Sequence, residues 1–176
     1  MELPVTSAFE PKQDPAAWPP FPTPLACPTQ TVEPAWIDYN GHMNMAYYHV
    51  AFDRAVDYAY DQLGLGADYV RDHQASLFTA EVHVCYLQEL SLGERFTITW
   101  QLLDYDAKRL HFFEALHCDE RLIATSEQMA LHVSMSTRRT APFSEDQLAR
   151  LAHVHAHHKT LPRPAQQGRT LQIRRS

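Results

Sequence analysis

The spacing of apolar positions changes along the chain, and each change marks a different kind of element. Between Ala46 and Leu63, the residues Tyr48, Phe52, Ala55, Ala59 and Leu63 recur at steps of three and four, the stripe of an α-helix. Asn44 ahead of it is a good N-cap, and Gly64 suits the left-handed position that closes a helix. His49, Asp53, Asp57 and Asp61 form a separate polar row at steps of four, as a solvated helix face does. From Phe78 the period falls to two. Phe78, Ala80, Val82, Val84 and Tyr86 are expected to point one way, and Thr79, Glu81, His83 and Cys85 the other. Phe96, Ile98, Trp100 and Leu102 continue the alternation. The stretch LLDYDAKRLHFFEALHCDERLIATSEQMALHVSM predicts two more strands, with turns near Asp104-Tyr105-Asp106 and at Cys118-Asp119-Glu120. A second helical pattern covers Glu145 to His158, with Leu148, Leu151 and Val154 inward.

Prolines 4, 11, 15, 19, 20, 22 and 24 crowd the first 27 residues, which therefore cannot sustain a helix or an inner strand. Residues 1–27 are expected to form an arm that is either extended and lying on the body or disordered, residues 28–143 the folded domain, and residues 144–176 a C-terminal helix and a loose tail. Residues 28–36 predict a first strand weakened by Pro34. Successive antiparallel strands must bury one face, and the one long helix before them is the obvious cover. The expected class is α+β: a curved antiparallel sheet wrapped around a central helix, plus a C-terminal helix.

Composition narrows the partners. The 176 residues carry a formal charge of −6, which argues against nucleic acid, whose binding is mostly phosphate neutralisation by clustered cations. No apolar run approaches the roughly 20 residues that cross a bilayer, and no signal peptide is evident at the start, so no membrane partner is expected. Three distant cysteines with no CxxC pair suit reduced thiols and a cytoplasmic setting.

The stretch WIDYNGHMNMAYY, Trp36 to Tyr48, carries the candidate chemistry. DYNG is good turn chemistry, so Asp38 and Asn44 serve as caps on one reading, with His42 a surface residue. The other reading uses the same geometry. The first amides of a helix lack intrahelical partners and lie at the positive end of its dipole, so they can hold the oxyanion of an attacked carbonyl. A carboxylate seven residues before Met45 would face that carbonyl as nucleophile or base. Glu81 is a second candidate carboxylate, on a strand expected to run beside the helix. His153, His155, His157 and His158 share the last helix, and His153 with His157 has the spacing of a metal pair, but no nearby carboxylate or cysteine completes a set. No metal site is expected. A GxSxG elbow, a Walker loop and a GxGxxG turn are all missing, which disfavours serine-hydrolase and nucleotide-cofactor chemistry.

WIDYNGHMNMAYY resembles the D-x-x-G-H-x-N-x-x-x-Y signature of the hotdog-fold acyl-CoA thioesterases related to 4-hydroxybenzoyl-CoA thioesterase. The stretches EPAWIDYNGHMNMAYYHVAFDRAVD, LFTAEVHVCYLQEL, LLDYDAKRLHFFEALH and ATSEQMALHVSMSTRRTAPF are similar to the betainyl-CoA thioesterases of carnitine breakdown. The resemblance implies a hotdog fold over roughly residues 28–143 and hydrolysis of a short acyl-CoA to free acid and coenzyme A, without metal or redox cofactor. It implies Asp38 as the catalytic carboxylate, the Met45 backbone amide as oxyanion donor, Asn44 as helix cap, and His42 orienting the loop or meeting substrate. Many members carry a second Asn where this chain has Met45, which leaves only a backbone contribution there. A trimethylammonium substrate would draw on aromatic faces, with Trp36, Tyr39, Tyr47, Tyr48, Tyr86 and Trp100 as candidates. Lys108-Arg109 and Arg138-Arg139 are candidates for the coenzyme A phosphates. The family also implies a homodimer, or a dimer of dimers, with sites between subunits. The rivals are a hotdog hydratase or dehydratase and a non-catalytic acyl-CoA-binding domain.

Overall fold

A computed structural model describes residue 14 and residues 17–173. The chain runs through β1 (Leu25–Ala26), β2 (Gln30–Thr31), a 3-10 turn (Pro34–Trp36), α1 (Met45–Gln62), α2 (Ala67–His73), β3 (Ala75–Tyr86), β4 (Arg95–Tyr105), β5 (Arg109–Cys118), β6 (Arg121–Ser134), β7 (Arg139–Thr140) and α3 (Glu145–His158). All pairings are antiparallel, in the order β1-β4-β5-β6-β3, with β2 also on β4 and β7 on β6. This is the expected α+β class: a curved sheet around one long helix. No helix among the described residues is long and apolar enough to cross a membrane.

The central helix starts where its cap predicts. The Asn44 side chain accepts from the Ala46 amide, and Gly64, at φ +69°, takes the left-handed position past the C-terminus. The stripe of Tyr48, Phe52, Ala55, Ala59 and Leu63 is buried throughout. Beneath it lie rows of paired strand residues: Leu102–Phe112–Gln128–Val82, Trp100–Glu114–Ser126–Val84 and Ile98–Leu116–Ala124–Tyr86. Directly paired residues share a face. Tyr60 of α1 meets Phe112 edge-on at 6.2 Å, which fixes these rows as the helix-facing side.

Four expectations change. The helix α2 had no strong apolar period to reveal it; it is held by Tyr69, whose hydroxyl pairs with His132 Nε2 at 2.9 Å. The predicted first strand shrinks to two residues before the Pro34–Trp36 turn, because Pro34 has no amide to donate to a ladder. The turn placed near Asp104-Tyr105-Asp106 comes later, since β4 runs on to Tyr105 and β5 starts at Arg109. Strand β3 does not keep one alternation. Its pairing steps from Thr79↔Ala130 to Glu81↔Met129, so Ala80 is a bulge residue and the faces exchange there. Leu77 and Thr79 therefore share the helix side with Val82, Val84 and Tyr86, while Phe78, Glu81 and His83 face outward.

The described part of the arm lies on the body. Phe21, Leu25 and Cys27 are buried in the core, and β1 extends β4. Two of the four histidines of α3 hold the arm. The Leu102 amide donates to His158 Nδ1 at 2.9 Å, so Nε2 carries the hydrogen that meets Pro22 O at 2.8 Å. His153 Nε2 lies 2.9 Å from Pro19 O, and His155 Nε2 is 3.2 Å from Leu103 O. His157 Nδ1 turns back to its own helix, at His153 O. The remaining arm residues, 1–13, 15 and 16, lie outside the described residues. The chain after α3 turns at 165–168, where the Gly168 amide donates to Glu127 across the outer face of the sheet.

Candidate active site at the start of the central helix

Residues 36–44 form a tight loop closed by backbone bonds. The Asn44 amide donates to Trp36 O at 2.9 Å, the Asp38 amide to His42 O at 3.1 Å, and the Gly41 amide to Asp38 O at 3.0 Å. Gly41 sits at φ +84°, a conformation that side chains rarely adopt. The Met43 amide donates to Leu90 O and anchors the loop to the chain after β3.

The loop brings three of the motif's residues together. Asp38 Oδ1 accepts from the Asn40 amide at 2.8 Å, and Oδ2 accepts from Asn44 Nδ2 at 3.3 Å. Asn44 uses its own Oδ1 to accept from the Ala46 amide at 2.9 Å, while its carbonyl accepts from the Tyr47 amide at 3.0 Å. Met45 is the first helical residue, so its amide has no intrahelical acceptor. Side chain and dipole thus converge on one point: a half-buried carboxylate, an amide beside it, and the positive end of α1. Met45 itself is 60% exposed, so a substrate can reach that amide. His42 is half-buried, and its Nδ1 lies 3.3 Å from Met43 O, so the imidazole is tied to the loop it helps shape.

One neighbour of this point was hidden in the polar row of α1. His49 Nε2 lies 3.2 Å from the Tyr86 hydroxyl, which is also 3.5 Å from Met45 O. An imidazole and a phenol therefore stand beside the first turn. The sequence showed Tyr86 as an alternating strand residue and His49 as a solvated one; only the folding of β3 against α1 joins them.

Other candidates fall elsewhere. Glu81 faces outward with His111 and Glu127, around a cavity of about 510 Å³ on the far side of the sheet from α1. The bulge at Ala80 puts it there. Trp36 is buried, stacked on Tyr47 at 5.5 Å, and already carries the Arg54 guanidinium 5.2 Å from its ring centre, so its face is not free for a ligand cation. Trp100 is wholly buried against Phe112 and His158. Tyr48 is buried edge-on to Tyr86 at 5.3 Å, whereas Tyr39 is 97% exposed and Tyr86 is open. Lys108 and Arg109 stand at the other end of the sheet. Arg109 pairs with Leu131, and Tyr86 with Ala124, seven residues or roughly 23 Å apart along β6. Arg109 is also bound to Asp106 at 2.6 Å, and Arg138 lies over the Phe78 ring at 5.2 Å. No group of metal-binding side chains is found among the described residues.

Comparison with known proteins identifies the family and the fold. The profile of the Thioesterase-like superfamily matches residues 32–151. The chain is 40% identical to the betainyl-CoA thioesterase of Pseudomonas aeruginosa over 142 residues, 80% of this chain and 89% of that one. A hypothetical protein of Staphylococcus aureus, solved in complex with CoA, superposes with a TM-score of 0.79 at 37% identity, covering 85% of this chain and 94% of the other. A candidate thioesterase from Pseudomonas putida KT2440 superposes at 0.75 with 35% identity, covering 86% of this chain and 98% of the other. The family match spans the 36–44 loop, the central helix and the sheet, and the chain belongs to the thioesterase-like superfamily, with the hotdog fold.

Proposed function

We propose that this chain hydrolyses acyl-CoA thioesters in the cytoplasm, with betainyl-CoA as its preferred substrate. The observation that carries the reading is the Asp38 carboxylate bonded to Asn44, the cap of α1 that immediately precedes the Met45 amide, in a chain 40% identical to a betainyl-CoA thioesterase. The CoA held by the Staphylococcus aureus relative supports the coenzyme A part of the substrate. In the proposed reaction the thioester oxygen takes the Met45 amide. Asp38 either takes a proton from a water that attacks the carbonyl carbon, which gives the free acid directly, or attacks the carbon itself, which leaves an acyl anhydride on Asp38 that water then hydrolyses to the free acid. The new C–O bond pushes charge onto the oxygen at the amide, and collapse breaks the C–S bond to release coenzyme A thiolate. No cofactor enters these steps.

We further propose a homodimer. Strand β3 is the last strand of the sheet, twelve residues long, and Phe78, Val82 and Tyr86 on it are exposed. Such an edge invites pairing with a second strand. Two copies paired antiparallel about the middle of β3 would set the Phe78 end of one beside the Tyr86 end of the other. The basic residues Lys108, Arg109 and Arg138, far from the site of their own chain, would then approach the partner's site, where coenzyme A phosphates need cations.

A second reading has one observation in its favour: both oxygens of Asp38 already accept bonds within the loop, as a purely structural turn residue's would. Asp38→Asn separates the two, because asparagine keeps an oxygen for the Asn40 amide while losing the charge. Thiol release should be measured on acetyl-, betainyl-, medium-chain and aryl-CoA. Wild type should prefer betainyl-CoA, and Asp38→Asn should lose roughly 10²–10⁴-fold in kcat, with only a small fall in Tm from the lost Asn44 bond. Full activity in the variant returns Asp38 to a structural role. Faster hydration of an enoyl-CoA, or saturable binding with no turnover, replaces hydrolysis with the hydratase or binding-domain reading.

A further inference from the structure

An open cavity of about 320 Å³ lies between α1 and the β3–β6 pair, bounded by His49, Phe52 and Asp53 of the helix and by Thr79, Val82 and Gln128 of the sheet. It starts at His49, one turn beyond Met45. Asp53 is about 12 Å from Met45 along the helix axis. Helical side chains tilt toward the N-terminus, so the Asp53 carboxylate leans over the half of the cavity nearer the amide.

A second carboxylate stands behind the cavity wall. Gln128, which bounds the cavity, donates through Nε2 to Glu114 Oε2 at 2.7 Å and to the Ser126 hydroxyl at 3.0 Å. Glu114 is wholly buried on the helix-facing side, and its other oxygen has no hydrogen-bond partner among the described residues. Burial pushes its carboxyl well above the usual carboxylate range, and the charge of Asp53 acts in the same direction. A lone buried carboxyl is costly, and an apolar side chain between Trp100 and Ser126 would pack at lower cost. Glu114 therefore rests protonated, and Asp53 carries the charge at a cavity whose bounding residues include no Lys or Arg. Val50, Phe52 and Val82 are the apolar members of its lining. A carboxylate with no cation beside it and apolar neighbours suits one kind of ligand, a fixed cation clothed in methyl groups, which asks for field and contact and offers no hydrogen bond.

We infer that this cavity is the acyl subsite, and that Asp53, with Glu114 behind it, selects acyl groups that carry a quaternary ammonium. The inference rests on the thioesterase reading, and it places the charge that meets the cation on Asp53, with the Glu114 carboxyl behind it. Trp36 is occupied by Arg54 and Trp100 is sealed in the core, so neither tryptophan face is open to a cation.

The test compares betainyl-CoA with tert-butylacetyl-CoA, the isostere in which carbon replaces the charged nitrogen. The ratio of the two kcat/KM values should favour betainyl-CoA in wild type and fall roughly ten-fold in Asp53→Asn. Glu114→Gln, which keeps the hydrogen bonds and removes the ionisable oxygen, should lower the same ratio by less. A ratio unchanged in Asp53→Asn overturns the inference. So does a wild type that cleaves both esters equally, which leaves the thioesterase reading intact. If wild type cleaves neither, that reading fails, and titration calorimetry decides the subsite alone: tighter binding of betainyl-CoA, equalised by Asp53→Asn, upholds it, and equal binding removes it.

Discussion

Asn44 joins the turn to the helix through both ends of one amide. Its oxygen caps Ala46, and its nitrogen reaches Asp38. Asn44→Ala removes both bonds, and urea unfolding should show a loss of about 1–2 kcal/mol. Activity should fall as well, because Asp38 loses the group that fixes one of its oxygens. Asp38, Asn44 and Gly41 were legible in the sequence because their jobs are local: a turn, a cap and a positive φ are each written within a few residues. Glu114 and the His49–Tyr86 contact were not. Their partners lie 14 and 37 residues away, so a short window shows only a strand residue and a solvated histidine. The enclosure of Trp36 and Trp100 was hidden for the same reason. Nothing local in the sequence says that Arg54 will occupy the face of Trp36.

Among the elements, α1 and α3 matched their patterns within a residue, since long amphipathic helices with good caps carry their own boundaries. Strand β3 did not, because one bulge residue leaves the composition unchanged while inverting which side chains meet the helix. Helix α3 adds a dependence on pH. Burial holds the His158 imidazole below its ordinary value, with the bond to Pro22 opposing and the neighbouring His157 and His155 adding to the shift. A depressed folded value means that the unfolded chain binds the proton more readily. The His158 contribution is therefore complete above pH 6.5, the unfolded value, and is lost as pH falls through the folded one. Protonation also sets a new donor against the Leu102 amide. Urea midpoints taken from pH 7 downward should fall more steeply for wild type than for His158→Gln; equal slopes would remove His158 from the account.

At the scale of the whole molecule, the exposed edge of β3 and the distance between Arg109 and Tyr86 point to the same arrangement. A single chain holds Lys108, Arg109 and Arg138 at the wrong end of the sheet for its own site. Light scattering on the eluting protein should give twice the 20.2 kDa of one chain. A monomer would leave the phosphate-binding role of Lys108, Arg109 and Arg138 without a geometry. The sheet-around-helix plan was visible early because it follows from which surfaces must be covered. An arm lying on the body was one of the two readings of its prolines; what fastens it there was not visible. The Cys27 amide donates to Ile98 O where the arm joins β4. A proline offers the solvent or a neighbour an acceptor and never a donor, so at its prolines the arm can only receive. At Pro19 and Pro22 what it receives comes from imidazole nitrogens, which lend a hydrogen without asking for a lone pair in return. The histidine run of α3 and the proline run of the arm are therefore two halves of one fastening, and a change in either should be felt in the other.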